Sequence, residues 1–287
     1  MLRGGDLEDI VKYEEMFSFY ENIYQDNDEV RDFLIQSDEP IYYKDLKIYP
    51  VKIKLYLFFQ MFSACLCLKQ HKVADIKALN LKYLDFLFYH NEKLGIDNRN
   101  YAACLKEVLY ICLRLPREME TEDGKKMPTI DFIISNNNHL IKIYNKTYDA
   151  RDFEKIRGII CKQNLIELPN PKVSEDIEKK YEEYISHLRK IGKIKTGDFE
   201  DLCLCMMSEL GYSRQQIEDL TIRTFYKLLE RIGFIMESKI LRLLAPNMEK
   251  KDIEKIPNWT DKIPNKNKLE EMSADLQETE NKIKGAK

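Results

Sequence analysis

The chain has 287 residues, of which 44% are hydrophobic and 33% charged, enough apolar material for a real core and too much for wholesale disorder. Its 46 Lys and Arg against 49 Asp and Glu leave a net charge of -3, without the basic excess by which generic polyanion binders displace counterions. With 10 Gly and 9 Pro, collagen-like and many-turned all-β architectures are excluded.

Residues 1–39 carry 12 Asp/Glu against 3 Lys/Arg, a local charge of -9. Leu7, Ile10, Val11, Phe17, Tyr20 and Tyr24 recur at helical spacing, which predicts an amphipathic helix with a solvated acidic face. Such a face is a docking surface or simply the soluble side of a peripheral helix, and the charge pattern favours the second. A short helix is expected after Asp28. The stretch Pro40 to Pro50 carries β-formers around Lys44-Asp45 and predicts a small hairpin or an extended arm. Pro50 fits the first turn of the next helix, which is expected to reach Gln70. Within it, Leu55 to Leu68 is the longest apolar stretch, broken only by Gln60 and Ser63. Its 14 residues are too few to span a bilayer and read as a buried helix.

Tyr83 to Tyr89 begins another helix, apolar on nearly every side. Asn98 or Asn100 is placed to cap a third, running through Leu115 and ended by Pro116. Thr121 to Lys126 is a turn signal. Thr129–Ile134 and Leu140–Tyr144 read as strands joined by a turn at Ser135–His139, because Asn tolerates left-handed backbone. Asp149 or Asp152 can cap the following helix, with Phe153, Ile156, Ile159 and Ile160 on one face, so 127–164 reads as a small ββα module. Beyond Pro169 and Pro171, Ser174 opens a charged helix with Ile177, Tyr181, Tyr184 and Leu188 at spacings of three to four, the best candidate for an interdomain connector. Thr196 is the expected cap of a helix that contains Leu202–Met207 and stops at Gly211. Ser213 with Gln216 matches a capping box, and a long helix is expected from Leu220 to Leu244, before Pro246. Together these elements predict a mainly α protein. An N-terminal helical lobe spans 1–120, a small ββα insert 121–168, a charged connector 169–195, a C-terminal helical lobe 196–263 and a polar tail 264–287.

The search for chemistry returns little. The seven Cys lie mostly in apolar helical runs and read as reduced core thiols of a cytosolic protein; no charged segment leads into an apolar one at the N-terminus as in a secretory leader. Cys65 and Cys67 with His71 come nearest to a metal site. Two Cys two residues apart on a helix point about 200° from each other, however, and Cys203 with Cys205 repeats the problem. His90, His139 and His187 accompany no nucleophile motif, and His139 is expected in a solvated turn. Glycine-rich phosphate loops are absent. No catalytic residue, metal ligand or cofactor is therefore assigned, and the aromatic stripe Tyr83, Phe86, Phe88 and Tyr89 reads as core. Arg189, Lys190, Lys193 and Lys195 form one basic cluster at the end of the connector. It either meets the helix dipole or serves as the contact patch of a helical nucleic-acid-binding regulator.

Three stretches carry a further signal. The first is Leu46 to Lys54, followed after the apolar helix by Tyr83 to Tyr89. The second is Asp152 to Asn164. The third is Leu220 to Arg231, with Ile256-Pro-Asn-Trp259 and Ile263. In this order, and over 46–263, the chain resembles tail-morphogenesis proteins of contractile-tailed phages and prophages of Gram-positive bacteria. The matching motifs are patterns of apolar and turn residues, and no active-site residues are transferred. The resemblance implies a non-enzymatic tail-assembly chaperone in the host bacterial cytoplasm, binding the tape-measure protein or another tail protein. A permanent tail or baseplate component of the virion is the alternative. Covering a long, partly apolar helix calls for apolar anchors at helical spacing. Tyr226, Phe234 and Trp259 are the candidate anchors, since aromatics are common at interfaces. Membrane contact is not expected, and self-association stays open.

Overall fold

A computed structural model of the chain describes residues 28–70, 75–90, 100–120, 124–169, 183, 198–248, 253, 256–258 and 260–261. Two compact units make up the chain, one of Met1–Pro169 with Glu218–Phe225 and one of Asn170–Ile217 with Tyr226–Lys287. The acidic leading helix, the connector opened by Ser174, the polar tail, His71, His187 and Asn98 lie outside the described residues.

The first unit opens with α1 (Asp28–Gln36) and an antiparallel hairpin of β1 (Ile41–Tyr43) and β2 (Leu46–Ile48). A 3-10 turn at Ile53–Leu55 leads into α2 (Tyr56–Ser63), which a second at Ala64–Leu66 ends. Three helices follow: α3 (Ile76–Leu79), α4 (Tyr83–Tyr89) and α5 (Tyr101–Leu113). Asn100 caps α5 by accepting from the Ala103 amide, and Arg114, in left-handed backbone at φ 53°, ends it. Then come a hairpin of β3 (Glu118–Glu120) and β4 (Lys126–Pro128) and a three-stranded antiparallel sheet of β5 (Ile130–Ser135), β6 (Asn138–Ile143) and β7 (Lys146–Tyr148). Asn136 and Asn137 both hold positive φ between β5 and β6, the backbone that a tight two-residue hairpin turn demands. The capping box of Asp149 and Asp152 then starts α6 (Ala150–Gln163).

The core of this unit lies where α4, α5 and α6 meet the inner face of the sheet. Leu84, Phe86 and Leu87, then Leu105, Val108, Leu109 and Cys112, then Phe153, Ile156 and Ile160, are buried together with Ile130 and Ile141. Arg157 joins them as a buried cation, only 7% exposed. Its guanidinium lies 3.5 Å from the centre of the Tyr83 ring, its Nε donates to the Leu66 carbonyl at 2.6 Å, and one terminal nitrogen reaches Glu154 at 3.0 Å. The Tyr83 hydroxyl in turn donates to the Cys65 carbonyl and accepts from the Leu68 amide, both at 2.8 Å. One Arg–Tyr pair thus satisfies the backbone of the turn that closes α2.

The end of α6 ties back to the first hairpin. Gln163 Nε2 donates to the Ile48 carbonyl at 3.2 Å, and the Asn164 side-chain carbonyl accepts from the Val51 amide at 3.0 Å. Residues 218–225 complete the unit from far along the chain. Lys52 and Thr221 form an antiparallel bridge, the Ile53 amide donates to the Leu220 carbonyl, and the Ile222 amide donates to the Val51 carbonyl, both at 2.8 Å. Asp38, in left-handed backbone at φ 60°, accepts from the hydroxyls of Thr221 and Thr224.

In the second unit, a capping box of Asp198 and Asp201 starts α7 (Phe199–Leu210), and Gly211 at φ 68° stops it. The Ser213–Gln216 box, with Ser213 N–H to Gln216 Oε1 at 2.8 Å and Gln216 N–H to Ser213 Oγ at 3.3 Å, opens α8 (Arg214–Asp219). The last helix, α9 (Ile222–Leu244), belongs to the second unit from Tyr226 onward. Cys203, Met206 and Ile217 are buried in this unit.

The mainly α expectation is corrected. Among the described residues, 58% are helical and 16% lie in strands, with three small antiparallel sheets, which makes the chain mixed α/β. Five of its strands have three residues each, too few for a two-residue alternation to show in the sequence. The expected ββα module carries a third strand, β7. The cap of α7 is Asp198 and not Thr196, and the helix expected from Pro50 to Gln70 is eight residues of α2 between two 3-10 turns.

Candidate functional site

Among the described residues, the longest helix carries the most distinctive surface. Thr221 accepts from the Thr224 amide at 3.1 Å and so caps α9. Toward its C-terminus one side of α9 is engaged within the second unit. The buried Ser238 hydroxyl donates to the Pro257 carbonyl at 2.8 Å, Arg231 to the Asp261 carbonyl at 2.9 Å, and Arg242 to the Asn258 side chain at 3.4 Å. The opposite side reads Tyr226, Leu229, Gly233, Met236, Ile240 and Leu243, alternating steps of three and four that keep all six within an arc of about 100°. Ile240 is 56% and Leu243 79% exposed, with Met236 and Leu244 also open to solvent. Glu237 and Lys239 flank the stripe on its two sides. Of the predicted anchors, Tyr226 stands in phase with this stripe and is partly exposed. Phe234 lies off the stripe, with the Arg231 guanidinium 5.6 Å from its ring centre. Trp259 and the basic cluster of Arg189, Lys190, Lys193 and Lys195 fall outside the described residues.

A second apolar surface lies on the first unit. Leu57, Phe58 and Met61 of α2 are 61%, 61% and 65% exposed while Phe59 between them is buried. The apolar run expected to form a buried helix therefore turns one face to solvent. Among the described residues, no helix is long and apolar enough to cross a membrane.

His139 is paired, contrary to its expected place in a solvated turn. Asp85, itself buried, accepts from the His139 amide at 2.7 Å and lies 3.0 Å from its ring Nδ1. The imidazole stacks on Phe88 with centres 3.9 Å apart and planes within 2°, and Phe88 meets Phe132 edge-on. This pair staples the β5–β6 hairpin to α4. No sequence signal joined the two residues, because neither sits in a recognisable motif. His90 is a core residue, packed edge-on against Phe86 and Tyr101.

Two carboxylates fasten the first hairpin. Asp152 accepts from Tyr43 at 2.8 Å and from Lys44 at 2.6 Å, and Asp45 accepts from Tyr148 at 2.6 Å and from Lys146 at 2.7 Å. Burial acts to raise both carboxyls, yet the ammonium and phenol donors outweigh it and hold each below the usual carboxylate value. Among the described residues, no group of His, Cys, Asp and Glu could hold a metal ion. Burial raises the Cys65, Cys67, Cys112 and Cys161 thiols, the opposite of what a reactive nucleophile needs. No known family, curated protein or solved structure matches the chain.

Proposed function

We propose that this chain is a non-enzymatic tail-assembly chaperone that holds an amphipathic helix of a tape-measure protein against the exposed stripe of α9. The observation that carries this reading is the alternating three- and four-residue spacing of Tyr226, Leu229, Gly233, Met236, Ile240 and Leu243 on a helix face that is exposed at Met236, Ile240 and Leu243. A seam of that period is the complement of a second helix with the same period, joined by knobs-into-holes packing. Gly233 in mid-stripe lets a partner side chain approach the backbone closely. Glu237 and Lys239 on opposite flanks favour a partner helix with a cation beside the first and an anion beside the second. The resemblance of Leu46–Lys54, Asp152–Asn164 and Leu220–Arg231 to tail-morphogenesis proteins supplies the class of partner. So short a seam gives a moderate affinity, which suits a chaperone that must leave.

The test is co-purification of the full chain with tape-measure fragments, for the parent and for a double variant Ile240→Asp, Leu243→Asp. Both side chains are exposed, so the variant is expected to keep its circular dichroism spectrum and lose the fragment. Quantitative mass spectrometry then separates chaperone from component. A chaperone is abundant in lysate and missing from purified particles, whereas a fixed copy number in particles makes it a structural tail or baseplate protein. A chain that dimerises through the stripe, as seen by sedimentation, and ignores tape-measure fragments overturns the proposal.

A further inference from the structure

In the first unit the β1–β2 hairpin, the end of α5 and the β6–β7 turn enclose a cleft of about 630 Å3. Lys47, Arg114 and Lys146 line it together with Asp45, Tyr49 and Tyr144, so three cations face one carboxylate. That carboxylate is occupied by Lys146 and the Tyr148 hydroxyl. Arg114 and Lys47 have no carboxylate partner among the described residues and sit on tyrosine rings instead. The Arg114 guanidinium carbon lies 4.1 Å from the Tyr49 ring centre, and Lys47 Nζ lies 5.3 Å from the same ring and 5.4 Å from Tyr42. A guanidinium seated on a ring spends no N–H on a carboxylate and keeps its donors for an oxyanion. The Tyr42 hydroxyl, acting against partial burial, raises Lys47 above the usual lysine value.

Arg114 and Tyr144 each hold φ 53°, left-handed backbone that is strained for a non-glycine side chain. Gly or Asn would close either turn with less strain, so the turns alone do not call for an arginine and a tyrosine.

We propose that this cleft binds a small organic phosphate. The phosphate sits between Arg114, Lys47 and Lys146, and its organic group lies against the Tyr144 ring. Two cations without a carboxylate partner among the described residues match a phosphate dianion better than a single carboxylate. The cleft is larger than a phosphate alone needs and falls within the usual range of small-molecule sites. Tyr144, 40% exposed, offers a ring face for a flat ligand group. This site is independent of the α9 stripe and lies in the other unit.

The test is a titration of the full chain, followed by backbone amide NMR, with adenosine 5′-monophosphate, inorganic phosphate and a short single-stranded oligonucleotide as separate probes. The monophosphate is expected to shift the amides of 45–49, 113–115 and 143–146 and to bind more tightly than phosphate. Arg114→Gln and Lys47→Gln, with spectra otherwise unchanged, each weaken it by about tenfold, the effect of one lost charge-assisted hydrogen bond. Tyr144→Asn brings the monophosphate down to the affinity of phosphate and leaves phosphate binding as it was. Absence of shifts at these amides overturns the proposal, and so does equal binding of monophosphate and phosphate by the parent. Parent-like affinity in both cation variants also overturns it. An oligonucleotide that binds where the monophosphate does not makes the cleft a nucleic-acid site and overturns the small-molecule assignment.

Discussion

Arg157 offers a quantitative test of how the first unit holds together. Consider Arg157→Met, which keeps the length of the buried stem and removes the charge. Three interactions vanish. Losing the Nε donor leaves the Leu66 carbonyl unsatisfied, which costs about 1–3 kcal/mol. The guanidinium stacked at 3.5 Å on the buried Tyr83 ring contributes about 2 kcal/mol. The contact with Glu154, whose side chain is 45% exposed, contributes at most about 1 kcal/mol, and Glu154 can return to water when the partner goes. Against these stands the cost of burying a cation, several kcal/mol, which methionine avoids. The balance is a loss of about 2 kcal/mol, equivalent to roughly thirtyfold faster exchange of amides that open with the whole unit. Arg157→Ala also loses the stem and leaves a cavity, so it falls by about 4 kcal/mol. Hydrogen exchange of amides 156–161 under native conditions reads this unit separately from the other. If the methionine variant exchanges as slowly as the parent or more slowly, desolvation outweighs everything Arg157 gives back, and its role as the clasp of the α2 turn is refuted.

Two further predictions follow from the ionisable groups. Asp45 and Asp152 titrate below the usual carboxylate value in the folded chain. Their contribution is therefore fully present above the unfolded value of about 3.9 and is lost as pH falls through the lower folded values. An Asp45→Asn, Asp152→Asn variant should be less stable at neutral pH and lose less on acidification, as urea melts at stepped pH would show; parallel acid limbs would count against it. Burial pushes the Cys161 thiol up to about 12 and raises Cys65 and Cys112 as well, all three in the first unit, while Cys203 is buried in the second. Iodoacetamide at neutral pH should label the partly exposed Cys67, Cys104 and Cys205 first and reach the buried four only as their own unit unfolds. Early labelling of Cys161 in a folded unit would contradict this.

The helices with a strong apolar face and a polar cap were legible in the sequence. Asn100, Asp149, the Ser213–Gln216 box and Gly211 act at helix ends as their chemistry dictates. Strand pairings of three residues left no such trace, because Lys126–Pro128 or Lys146–Tyr148 is too short to show a period. The apolar run from Leu55 gave the wrong burial, since composition says how apolar a helix is and not which of its faces finds a neighbour. Sites assembled across long separations escaped altogether. His139 and Asp85 meet only because a hairpin folds over α4, and Lys47, Arg114 and Lys146 converge only once three separate turns are in place. The phase of Tyr226 with Ile240 and Leu243 is legible in the spacing, whereas the exposure of that side of α9 is not.

The return of residues 218–225 to the first unit has a consequence for how the chain is made. A ribosome that has delivered residues 1–169 has not yet delivered the Leu220 carbonyl for Ile53, the Ile222 amide for Val51 or the threonine hydroxyls for Asp38. The nascent first unit must wait, with a ragged backbone edge beside its first hairpin, while nearly fifty residues of the second unit emerge between its two parts. The second unit is likewise incomplete until α9 follows. The first unit cannot finish before residues 218–225 arrive, so until then α2 and its exposed apolar face stand beside unpaired backbone.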